Sequence, residues 1–132
     1  MLHSQACAGN AGAQAATLIV RAMATGDVAM RDWFRVVVKD IVICLFIGLT
    51  MALAVSSIAA VRAPDVMMPV ALSMLCIVMF GSLIGTMLPF LLTRLKLDPA
   101  TASGPLVTSL GDIGGVIIYF SIATWYLGLG MV

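Results

Sequence analysis

The chain has 132 residues, of which 62% are hydrophobic and only 10% are charged. Its mean hydropathy of +1.15 lies far from the balance of a soluble globular domain. The composition therefore predicts a membrane protein whose main partner is the lipid bilayer. A formal net charge of +1 provides no basic excess for counter-ion release, so we expect no nucleic-acid partner.

The first predicted element is a half-helix over residues 9–24, because the residues before it are too few and too polar to complete a membrane crossing. Asn10, Gln14 and Thr17 follow one another at helical spacing and share one face. Their oxygens and amide groups would suit a polar interior surface. The alternative, for this segment alone, is a packing seam of small residues.

The second predicted element is an amphipathic helix over residues 26–40. Its charged face is formed by Asp27, Arg31, Arg35 and Lys39, and its apolar face by Met30, Trp33 and Val37. We expect this helix to lie along the membrane surface with Trp33 as an interfacial anchor. A solvated helix beneath a cytoplasmic domain is the alternative.

Three long apolar runs follow, over residues 41–61, 66–93 and 99–129, and each is long enough to cross the bilayer. The predicted fold class is therefore all-α, a polytopic membrane bundle of three full spans, the half-helix and the interfacial helix. Basic residues are concentrated before the first span and in the loop after the second. By the positive-inside rule, the C-terminus is then external.

Two small features concern packing. Gly81 and Gly85 form a GxxxG pair, for which a contact within the subunit is favoured over a dimer contact. Cys7, Cys44 and Cys76 have neither zinc-ligand nor disulfide spacing, so we expect free, buried thiols. The isolated His3 has no partner pattern for a ligand role.

The third span contains one carboxylate, Asp112, in the stretch "SGPLVTSLGDIGGVIIYF". A helical projection places it in a small and polar stripe with Thr101, Gly104, Pro105, Thr108, Gly115 and Tyr119. The opposite stripe is apolar and consists of Leu106, Leu110, Ile113, Ile117 and Phe120. This sorting is typical of a helix with one side on lipid or packed neighbours and the other on a hydrated passage.

A charged residue at the centre of a spanning helix costs roughly 2.5–3.5 kcal/mol, so Asp112 is a candidate functional residue. No Lys, Arg or His lies within the spans, and the missing countercharge is then a solute. Hard oxygen ligands favour Mg²⁺, Ca²⁺ or Mn²⁺. The alternative is a structural or protonated Asp. We expect no enzyme, because an aspartyl mechanism would require a second intramembrane carboxylate.

Three stretches together resemble the membrane domain of MgtE-type magnesium transporters: "GNAGAQAATLIVRAMATGDV", "RDWFRVVVKD" and "LPFLLTRLKLDPATASGPLVTSLGDIGGVIIYF". The resemblance implies a homodimer that conducts Mg²⁺ inward, down the electrochemical gradient, through a pore on the two-fold axis. The family's central ion-binding aspartate falls on Asp112. The neighbouring pore positions fall on Asn10, Gly104 and Thr108, and we add Pro105 and Gly115 from the stripe. Mg²⁺ is then both the bound and the transported ion.

The resemblance also implies an integral protein of a prokaryotic plasma membrane. The family's first helix and its sensor region with CBS domains have no counterpart in this chain. We expect either a truncated reading frame, which is favoured, or a second polypeptide that supplies them. The alternative function is a nonconducting fragment or accessory subunit that packs with a partner.

Overall fold

The computed structural model describes residues 2–102 and 104–128, with side chains from Gly9 onward except at Ala102. Four helices make up the described chain: α1 (Leu2–Thr25), α2 (Trp33–Arg62), α3 (Met67–Arg94) and α4 (Pro105–Tyr126). Short 3₁₀ turns over Met30–Asp32, Pro64–Val66 and Pro99–Ala102 precede the last three. The all-α prediction is confirmed.

The three predicted spans are also confirmed, because α2, α3 and α4 with their flanking turns are each long and apolar enough to cross a membrane. Many of their large apolar side chains point outward, as in Phe46 and Leu53, which are 67% and 71% exposed. Such exposure would be unfavourable in water but matches a hydrocarbon solvent. The surroundings of this bundle are therefore lipid.

The predicted boundaries require three corrections. The N-terminal helix begins at Leu2 rather than Gly9, since no proline interrupts the helix-forming residues between them. It has 24 residues, a length of about 36 Å at 1.5 Å per residue. It is therefore more than the predicted half-helix.

The predicted interfacial helix over 26–40 is not a separate element. Met30–Asp32 is a 3₁₀ turn, and Trp33 begins a helix that continues without a break to Arg62. No Gly or Pro lies between Trp33 and Ile41, so the backbone hydrogen bonds run directly into the apolar span. The amphipathic pattern instead marks the end of a spanning helix.

The last span begins at Pro105 rather than at residue 99, and ends at Tyr126. Thr101 belongs to the preceding 3₁₀ turn, and Gly104 is the N-cap residue of α4, with φ −146° and ψ −131°. A proline in the first turn of a helix loses no backbone hydrogen bond, which explains the later start. The predicted end at residue 129 lies outside the described residues.

Helix α3 is the centre of the bundle and packs against α1, α2 and α4, while α1 also packs against α4. Small side chains permit this central position, because they allow neighbouring backbones to approach closely. On α2, the buried residues are Cys44, Gly48 and Ala52, one turn apart, and they form its contact face. A small apolar core joins Ala16, Leu92 and Val107, from α1, α3 and α4.

Candidate functional site

Asp112 lies about two turns after the start of α4, on the side of the helix that packs against α1. A Cβ atom added to Gly9 of α1 would lie 3.0 Å from Oδ1 of Asp112 and 2.9 Å from Cγ2 of Thr108. Glycine at position 9 therefore provides the space in which the carboxylate and Thr108 approach the α1 backbone. The polar stripe and the α1 segment meet at this point.

Oδ1 of Asp112 is buried and has no hydrogen-bond partner among the described residues. A buried polar atom without a partner is unfavourable by about 1–3 kcal/mol, so such an atom calls for a functional or structural explanation. The neighbouring Thr108 hydroxyl is directed to its own helix and donates to the Gly104 carbonyl at 3.5 Å. Nothing described on α1, α3 or α4 neutralises this oxygen.

The two sides of α4 are sorted as predicted. The apolar stripe faces outward, with Ile113 and Ile117 each 61% exposed. On the other side, Thr108, Asp112 and Tyr119 are half-buried and Gly115 is buried. Pro105 is exposed at the start of the helix, so its predicted position along a pore stays a prediction. Gly104 can contribute only backbone atoms to a site.

Asn10, Gln14 and Thr17 share one face of α1, as the sequence predicts, and line an open cavity of about 460 Å³. They do not meet Asp112 within the subunit. The adjacent Gly9 occupies that position, and Asn10 makes no hydrogen bond to Oδ1 of Asp112. The face of α1 that carries Asn10, Gln14 and Thr17 thus lies beside the face that contacts Asp112, and not on it.

The glycines Gly81 and Gly85 of α3 pack against Gly12 of α1 within the same subunit. A Cβ atom at Gly85 would collide with the Gly12 carbonyl oxygen, and one at Gly12 would lie 2.6 Å from the Gly81 carbonyl oxygen. This geometry is compatible with the predicted contact within the subunit. This crossing fixes α1, and with it Gly9, relative to α4.

Trp33 is the first residue of α2 and is 45% exposed. Its position at the end of a spanning helix is compatible with the predicted anchor role, since Trp is enriched at membrane–water interfaces. Cys44 and Cys76 are free thiols, as predicted; Cys44 is buried and Cys76 is half-buried. The side chains of His3 and Cys7 lie outside those described.

Sequence reasoning missed a second carboxylate in the apolar helices. Asp40, assigned to the end of the interfacial helix, is half-buried in α2 and faces α3. Its Oδ2 accepts a hydrogen bond from the Thr86 hydroxyl at 2.9 Å, and the Ser82 hydroxyl lies 3.1 Å from both carboxylate oxygens. The prediction that Asp112 is the only intramembrane carboxylate is therefore wrong.

A sequence signal for Asp40 existed in α3. Ser82 and Thr86 lie one turn apart in an apolar helix, and two buried hydroxyls on one face require a polar partner. A cavity of about 400 Å³ extends from Asp40 and Ser82 to Asn10 and Gln14 of α1. Asp40 and Asp112 are consequently in different environments, the first hydrogen-bonded and the second with a bare oxygen.

The described residues contain no group of three His, Cys, Asp or Glu side chains that could hold a metal ion. The arrangement instead offers one isolated carboxylate beside small residues. This combination, in a bundle of apolar helices, is typical of a membrane transport protein.

Comparisons with known proteins define the family. A family model described as MgtE, a divalent cation transporter, matches residues 4–122. The magnesium transporter MgtE of Thermus thermophilus is 47% identical over 87% of this chain and 26% of its own length. That of Bacillus subtilis is 31% identical over 90% of this chain and 27% of its own length. The chain belongs to the MgtE divalent cation transporter family.

The magnesium transporter MgtE of Enterococcus faecalis is also similar, with 32% identity over 91% of this chain and 27% of its own length. The chain spans about a quarter of the length of these curated relatives. It matches a family of membrane transporters rather than enzymes.

Proposed function

We propose that this chain forms the pore domain of a magnesium transporter and that Asp112 is its central ion-binding residue. The observation that carries the proposal is the buried Oδ1 atom of Asp112, which has no described partner inside a spanning helix. A cation is the partner that such an oxygen lacks. Support for Mg²⁺ comes from relatives that are named magnesium transporters.

The proposed pore lies between two copies of the chain. One Asp112 carboxylate has a charge of −1, whereas two copies across a two-fold axis match the +2 charge of the ion. Asn10 lies on the next face of α1, exposed, where its amide can contribute to the same axis. Thr108, Gly104, Pro105 and Gly115 are the proposed lining from α4.

Mg²⁺ prefers octahedral oxygens at about 2.0–2.1 Å and loses water reluctantly. A single carboxylate from each subunit, beside glycines and a threonine, suits an ion that keeps most of its water shell. Asp112 then contacts the hydrated ion through that shell, and backbone carbonyls assist. The proposed site therefore selects a hydrated ion by its charge and size, and it does not require the ion to lose its water shell.

The proposed direction of transport is inward, from an external C-terminal side. Each elementary charge that moves across 100 mV gains about 2.3 kcal/mol, so a divalent ion gains about 4.6 kcal/mol. The membrane potential therefore suffices as a driving force. Any contribution of other polypeptide regions to transport, such as that of a sensor domain, is a property of the whole transporter.

The test is growth of cells that lack Mg²⁺ uptake. The chain should restore growth at low Mg²⁺, Asp112→Ala should abolish rescue, and Asp65→Ala, at an exposed loop carboxylate, should leave it intact. Rescue by Asp112→Ala equal to that of the unsubstituted chain would contradict the role of Asp112. Absence of rescue by any membrane-inserted variant would favour the alternative, a nonconducting or accessory unit.

A further inference from the structure

An apolar groove lies on the outside of the bundle, where α2 begins and α3 ends, and we call it the α2–α3 groove. It has a volume of about 430 Å³, within the usual range of about 300–1,000 Å³ for ligand sites. Its lining includes Trp33, Met87, Phe90, Leu91, Arg94 and Leu110. Arg94 is its only charged residue among those described.

The groove has a polar end and an apolar end. Trp33 is the first residue of α2 and Arg94 the last of α3, so both mark the same membrane face. Ile84, more than two turns before Arg94 on α3, and Leu110 of α4 lie toward the bilayer interior. A ligand in this groove thus meets a guanidinium at one end and hydrocarbon side chains along its length.

The positive charge of Arg94, at the polar end of the groove, is available to bind a ligand. Arg94 forms no ion pair with any carboxylate among the described residues, and it is exposed. The same membrane face carries the basic residues Arg31, Arg35, Lys39 and Lys96, which with Arg94 outnumber the acidic residues Asp27, Asp32 and Asp98, whereas the loop between α2 and α3 has one of each, Arg62 and Asp65. The surface around the groove therefore attracts anions at this face.

We propose that the α2–α3 groove binds an anionic phospholipid, with its phosphate on Arg94 and an acyl chain along Met87 and Leu91. A guanidinium binds phosphate through two parallel hydrogen bonds, and the Trp33 indole suits the glycerol level of the membrane. Free phosphate would leave the apolar lining uncovered. An apolar protein segment would leave Arg94 without a counter-ion.

Native mass spectrometry of the purified full chain tests this site. The chain is mixed with phosphatidylglycerol or phosphatidylcholine of identical acyl chains, and the retained lipid is counted. We expect preferential retention of phosphatidylglycerol. Arg94→Gln should reduce that preference roughly tenfold, the weight of one charge-assisted contact. Arg62→Gln, at the opposite membrane face, should leave the preference unchanged.

A second pair of variants tests the apolar part of the groove. Met87→Trp should fill it and reduce retention of both lipids, whereas Met68→Trp, at an exposed position near the other end of α3, should not. Circular dichroism checks that each variant keeps its helix content. The proposal is independent of transport, because lipid retention needs no ion movement.

Several results would overturn the proposal. One is equal retention of the two lipids by the unsubstituted chain, as expected if a protein segment covers the groove. Another is an equal loss of preference in Arg94→Gln and Arg62→Gln, which would indicate a general charge effect. Unchanged retention in Met87→Trp would also exclude an acyl chain from this groove.

Discussion

Asp112 and Asp40 lie in different environments within the same bundle. Asp40 is held by the Ser82 and Thr86 hydroxyls of α3, whereas Oδ1 of Asp112 has no described donor. The hydrogen-bonded carboxylate joins two helices. The bare oxygen is the one that has capacity for an external cation.

The contribution of Asp40 to stability can be measured directly. Asp40→Ala should lower the free energy of unfolding by about 1 kcal/mol, because interhelical polar contacts in membranes average about 0.6 kcal/mol and two hydroxyls lose their acceptor. Thermal or detergent-induced unfolding of the purified chain would measure it. Asp65→Ala is the control, and equal stability of the two variants would contradict the role of Asp40.

For single residues, the sequence predicts which side chains are candidates for function better than it predicts which residues they contact. The apolar run around Asp112 is enough to single out that residue, because a charged residue inside a long apolar segment can be recognised from the sequence alone. The partner of Asp40 depends on how α2 meets α3, because Asp40 and Thr86 are 46 residues apart in the sequence. The hydroxyl pair on α3 indicates a partner but does not identify it.

At the scale of elements, the crossing of α1 and α3 depends on the absence of side chains. Gly12 and Gly85 bring the two backbones into direct contact. That contact holds α1 beside α4 and so places Gly9 opposite Asp112. The helix crossing is therefore part of the proposed ion site, although its glycines carry no functional group.

Gly85→Ala should destabilise the bundle by about 1–3 kcal/mol, because the new methyl group meets the Gly12 backbone, which cannot rotate away. Gly48→Ala is the matched control on α2, since its Cβ would meet the Cδ1 atom of Leu75, a flexible side-chain end. Unfolding in detergent would rank the two variants. An equal or smaller loss for Gly85→Ala would argue against the tight crossing.

The hydrophobic periodicity of the sequence does not predict where the helices begin and end. The charges from Asp27 to Lys39 predict an amphipathic surface helix, yet the helix continues from Trp33 into the membrane. Periodicity describes the faces of a helix but not its end, which needs a Gly, a Pro or a tertiary contact. For α4 such a signal was present: Pro105 marks its start.

For the whole molecule, the central question is how the bundle is oriented. The distribution of basic residues predicts that the loop between α2 and α3 is external and the loop between α3 and α4 is cytoplasmic. The fold is compatible with this alternation, because consecutive spans are joined by short turns. In this orientation, the inward transport proposed above would carry the ion toward the face of Arg94 and Lys96.

Cysteine labelling tests the orientation. In a chain with its three cysteines replaced, Asp65→Cys should react with a membrane-impermeant maleimide in intact cells, whereas Leu97→Cys should react only after permeabilisation. Both positions are exposed, so accessibility within the fold is matched. The reverse pattern would show that the bundle is inverted.

The central claim is that Asp112 is the ion-binding carboxylate of a magnesium pore. Its most direct test is Mg²⁺ flux into proteoliposomes under an inside-negative potential, measured with a trapped Mg²⁺-sensitive dye. The unsubstituted chain and Asp65→Asn should show equal flux, and Asp112→Asn should reduce it at least tenfold while retaining its helix content. Undiminished flux through Asp112→Asn would contradict the claim.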